Sequence, residues 1–116
     1  MRNYFEVYNK KTNEEETLAS FDNFNALKDY FKATDFEPVL IDEETIKDLY
    51  ERCFVVLQEY YSSNNTIECA KEVFPTKTLN DYDELYYDNI GKLLTLLKAM
   101  NIINKSEDIR FIYSEI

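Results

Sequence analysis

Apolar positions change their period once along this chain. Over residues 4–8 they alternate, with Phe5 and Val7 on one side and Tyr4, Glu6 and Tyr8 on the other, which predicts a strand. Residues 9–13 are polar and bounded by Asn9 and Asn13, which tolerate left-handed backbone. Thr17, Ala19 and Phe21 then alternate with Glu16, Leu18 and Ser20, so a second strand closes a hairpin with a longer loop. Asp22 or Asn23 is placed to cap a short helix carrying Phe24, Leu27 and Phe31 on one face, with Tyr30 beside them. Pro38 keeps residues 34–41 out of the middle of a sheet, and Val39, Leu40 and Ile41 suit a short edge strand.

From Asp42 onward the period becomes helical. Asp42 caps a helix reaching about Tyr61, whose core stripe is Ile46, Leu49, Cys53, Val56, Leu57 and Tyr60. Tyr50, Phe54 and Tyr61 widen the stripe on one side, enough for packing against two neighbours. Residues 62–65 break this helix. Thr66 caps a short one that runs to Phe74, where Pro75 stops it. A last helix over residues 81–100 buries Tyr82, Tyr86, Ile90, Leu93, Leu97 and Met100, with Leu96 adjoining. Residues 104–108 turn, and Ile109, Phe111 and Tyr113 alternate with Arg110 and Ile112 in a final strand. The fold class is therefore α+β, in a single domain over residues 1–116. Residues 1–41 form a hairpin and helix, and residues 42–116 a mainly helical part ending in a strand.

The 116 residues include 45% hydrophobic and 16% aromatic side chains, ample for a core, which separates the chain from disordered acidic tails. Its net charge of −10 opposes binding to bare nucleic acid and to anionic membranes, and favours a basic partner. Acidity is also a common solubility device, and composition alone does not separate the two. An N-terminus without an apolar run, and no stretch of membrane-spanning length, lead to the expectation of a cytoplasmic protein with Cys53 and Cys69 reduced. With no histidine, Ser-His and Cys-His nucleophile pairs cannot form, and zinc lacks a ligand set. A single glycine rules out a Gly-rich phosphate or dinucleotide loop. Residues 80–84 lack the glycine and the spaced glutamate of a calcium loop. These features predict a protein that is not an enzyme and holds neither metal nor cofactor.

The order long helix, short helix, loop, long helix, strand over residues 45–113 resembles a winged-helix domain. Ala70 in the short helix stands where two helices of a helix-turn-helix would cross. The leucine-rich segment of residues 90–103 looks like a recognition helix leading into a wing at residues 104–113, with Arg110 on its exposed side. The resemblance implies a DNA-binding regulator, but the N-terminal half of that helix carries Asp81, Asp83, Glu84 and Asp88, where such proteins present bases to the groove. In size, charge and lack of catalytic residues the chain is similar to small acidic counter-defence proteins of phages and plasmids, including anti-restriction and anti-CRISPR proteins and other nucleic-acid mimics. That likeness implies an inhibitor or adaptor offering carboxylates and tyrosines to a basic protein surface, such as a nuclease's nucleic-acid channel. An immunity-type protein neutralising a basic toxin would share the same acidity.

The partner-binding candidates are Asp81, Glu84, Tyr87 and Asp88. With Leu93 centred on the buried face, Glu84 and Asp88 fall opposite it and Tyr87 at the boundary. Glu84 and Asp88 are four apart and like-charged, which slightly destabilises a helix. Acids near a helix N-terminus also interact favourably with its dipole, so a solvated face explains them too. Asp42, Glu43 and Glu44 are accounted for by capping, and Glu14, Glu15 and Glu16 by protection of an exposed strand.

Overall fold

A computed structural model describes residues 1–62, 67–100 and 107–115. The strands are Arg2–Asn9 (β1), Glu14–Asp22 (β2), Val39–Ile41 (β3) and Glu107–Ser114 (β4). The helices are Asn25–Phe31 (α1), Glu43–Ser62 (α2), Ile67–Val73 (α3) and Glu84–Ala99 (α4), with a 3-10 turn at Leu79–Asp81. The strands make one antiparallel sheet in the order β2-β1-β4-β3. The chain is thus α+β. The final strand is interior, hydrogen-bonded to β1 on one side and β3 on the other. The segment read as a wing coincides from residue 107 with β4; residues 104–106 of it, and the Thr66 cap, lie outside the described residues.

The hairpin forms as its pattern requires. Asn13 adopts φ 60° and donates its N–H to the Asn9 carbonyl at 2.8 Å, while the Asn9 side chain accepts from Lys11 and Thr12. One detail departs from simple alternation. The β1–β2 register shifts between Phe5, opposite Ala19, and Glu6, opposite Thr17, so Leu18 has no partner residue. A one-residue shift exchanges the faces beyond it, so Thr17 lies opposite Glu6 rather than beside Ala19 and Phe21.

One sheet face carries Phe5, Phe21, Phe111 and Ile41, all buried against the helices. Phe5 meets Phe21 and Phe111 at 6.1 and 5.4 Å, Phe21 meets Phe24 at 5.5 Å, and Phe24 meets Phe74 at 6.0 Å. Such pairs add about 0.5–1.5 kcal/mol each beyond the area they bury. Leu49, Cys53 and Val56 of α2 and Ile90, Leu93 and Leu97 of α4 complete the core, in agreement with the stripes read from spacing.

Capping differs from expectation at α1. Asn23 takes φ 52° and Asp22 ends β2, so α1 begins after Phe24 with no side-chain cap; the Phe24 carbonyl accepts instead from the buried Asn3 amide at 2.9 Å. The last helix starts at Glu84 rather than about residue 81, capped by Asp83, which accepts from the Tyr86 N–H at 3.0 Å. At α2 the cap is Asp42, whose carboxylate accepts from the Thr45 N–H at 2.8 Å.

Candidate functional site

The four partner-binding candidates do not form one patch. Glu84 opens α4 and Asp88 stands one turn further, both exposed. Asp81 lies before the helix in the 3-10 turn, half-buried, where it accepts from the Thr76 hydroxyl at 2.8 Å. Tyr87 is only 7% exposed and stacks on Tyr60 of α2. The boundary position assigned to it is covered because α2 packs along that flank of α4.

The aromatic surface lies on α2 instead. Tyr50, Phe54 and Tyr61 lie roughly 100–140° around the helix from Leu49, at about 100° per residue. No described element covers that flank fully: Phe54 is 47% and Tyr61 81% exposed, while Tyr50 is half-buried and stacks on Phe54 with centroids 6.4 Å apart. The expectation that these residues widen the core is therefore corrected for Phe54 and Tyr61. Polar Glu43, Lys47 and Gln58 on the same flank are the sequence signal that it meets water. Glu43, Glu44 and Glu51 are exposed around it, and among the described residues none of the three is in an ion pair.

Several cations make contacts within the fold. Arg110 donates to Glu6 through Nε and a terminal nitrogen, reaches Glu15 at 3.3 Å, and lies 4.2 Å from the Tyr8 ring centroid. Glu6, 3% exposed, is closed over by this contact on the sheet face away from the aromatic core. Arg52 bonds Asp48 at 2.8 Å and the Val73 carbonyl, tying α2 to the end of α3. Lys92 donates to the Ser20 carbonyl and sits 4.8 Å over the Phe21 ring, and Lys28 sits 4.6 Å over Tyr113. The Tyr30 phenol donates to Asp48 at 2.6 Å; burial, then that bond, push it up to about 12, while the same bond and Arg52 hold the Asp48 carboxyl below its usual range.

An open cleft of about 460 Å³ lies at the hairpin end, lined by Val7, Asn9, Glu14, Glu15, Glu16 and Glu107. A second, of about 270 Å³, is bounded by Asp29, Tyr30, Arg52, Phe74 and Pro75. Among the described residues no three acidic or cysteine side chains converge in a way that would hold a metal ion. No helix of the structure is long and apolar enough to cross a membrane.

The geometry thus offers exposed carboxylates and an aromatic flank, with Arg52 and Arg110 held in contacts within the fold. Compared with known proteins, the chain matches no family model, no curated protein and no solved structure.

Proposed function

We propose that this protein is an acidic protein-binding module, an inhibitor or adaptor that presents carboxylates and aromatic side chains to a basic surface such as a nuclease's nucleic-acid channel. One observation carries the reading. Among the described residues five cations hold six carboxylates in ion pairs, and most of the 23 acids are left facing water. A surface of that sign speeds encounter with a cationic partner and repels phosphate. A DNA-binding reading needs a cationic face, and Arg52 and Arg110 both serve internal contacts.

The test is capture of partners from the native host at low and high salt, followed by assay of the captured enzyme with and without the protein. A basic nucleic-acid-processing enzyme, bound in a salt-sensitive way and inhibited, is the expected result. Charge reversal locates the contact: Glu84→Lys with Asp88→Lys, and separately Glu43→Lys with Glu44→Lys, each slow association if that helix faces the partner. Sub-micromolar binding of random duplex DNA at about physiological salt would overturn the proposal.

A further inference from the structure

The exposed flank of α2 has a form that general acidity does not require. Tyr50, Phe54 and Tyr61 repeat at spacings of four and seven, so they form a ridge along one helix face about 16 Å long. Burial would be the ordinary outcome for such a stripe, yet Phe54 and Tyr61 remain in water. Tyrosine and phenylalanine give large contact area at small entropic cost, which suits them to anchoring a partner.

Resting on the acidic-module reading, we infer that this ridge is the docking surface for an amphipathic helix of the partner, apolar along its centre and carrying Lys or Arg along one border. The bordering residues decide the occupant. Exposed Glu44 and Glu51 border the aromatics on the side away from the core and Glu43 extends their line toward the helix start, against the single Lys47, so a helix seated there places one edge beside carboxylates. A second copy of this chain fits poorly, since each copy carries −10 and like-charged borders would face one another. A helix packed on a helix also matches ridge spacing on both sides.

The experiment uses two synthetic helical peptides of equal positive charge, one with leucines along one face and lysines beside them, the other with every leucine replaced by serine. Both are titrated against the full chain by calorimetry. The leucine peptide is expected to bind about tenfold more tightly or better, and Phe54→Ser with Tyr61→Ser to abolish that preference while leaving the melting temperature and the serine peptide's affinity unchanged. Equal binding of both peptides to the unaltered chain, or a preference that survives in the double variant, overturns the ridge and leaves the acidic module standing. Sedimentation showing dimers of the unaltered chain and monomers of the double variant overturns it too, in favour of self-association. Failure of both peptides to bind at low salt overturns the ridge and the acidic-module reading together.

Discussion

The ring of Tyr87 lies 4.1 Å, centroid to centroid, from that of Tyr60, with the planes inclined by 21°. This stack joins α4 to α2 and makes Tyr87 part of the core. Tyr87→Ala is therefore expected to destabilise the protein by about 3–5 kcal/mol, the cost of truncating a buried aromatic. Glu84→Lys with Asp88→Lys, one turn apart on the exposed side of the same helix, should stay within about 1 kcal/mol. Urea titration of the variants compares them. A Tyr87→Ala protein as stable as the parent would mean that the stack does not form.

Glu6 and Arg110 make a second linked pair, on the other face of the sheet. Arg110→Ala strands a carboxylate that is almost fully covered, and a loss of about 3 kcal/mol is expected. Replacing both, Glu6→Gln with Arg110→Met, should cost less than the single change, because no uncompensated charge is left behind. Denaturation midpoints of the three proteins decide the matter, and a double variant worse than Arg110→Ala would contradict it.

Alkaline pH acts on three covered groups. Tyr30 and Cys53 are pushed up to about 12 from ordinary values of 10.0 and 9.0, chiefly by burial, and burial raises Tyr86 as well. In each case the unfolded chain loses the proton first, so their contribution is complete below about pH 9 and is lost as pH rises toward about 12. Asp48 runs the other way: its carboxyl is lowered, so its contribution is present above 3.8 and lost as pH falls through the folded value. A denaturant midpoint that declines steadily from about pH 9 upward is the expected profile. A flat profile to about pH 12 would contradict the burial of these groups.

The two thiols should differ in reactivity. Cys53 is fully buried between α2 and its neighbours, whereas Cys69 is half-buried on α3. Burial and the nearby Glu59 and Glu72 raise the Cys69 thiol, which slows its attack at neutral pH without closing access. One thiol per chain is expected to react with a disulfide reagent in the native state, and the second only on unfolding. Mass mapping that finds Cys53 labelled first would show that α2 opens more readily than its packing implies.

Local pattern was enough for much of this architecture. Alternation at Phe5 and Val7, the Asn-bounded loop, the Leu49–Cys53–Val56 spacing and the Ile90–Leu93–Leu97 spacing are each recorded within one element, because a strand or helix repeats its environment every two or 3.6 residues. Pro38 and the three apolar residues after it likewise marked an edge strand, since a missing N–H is tolerated at an edge. Three features were not local. The shift at Leu18 depends on which residues of β1 lie opposite, and that pairing places Thr17 on the other face. The position of β4 between β1 and β3 is a hydrogen-bonding choice between strands far apart in the chain, on which the periodicity of β4 itself is silent. For the aromatics at the edge of a helix stripe, the outcome rests on whether a neighbour arrives. Tyr87 and Phe54 both stand roughly 120–140° from the centre of their buried faces, and at that angle a side chain is buried only if another element lies alongside. Tyr60 lies beside Tyr87, and no described element closes over Phe54. The sequence by itself therefore determined the elements and their inward faces. Only the tertiary packing decided which boundary aromatics became core and which were left in water, because that depends on the separation and angle between helices rather than on either helix alone.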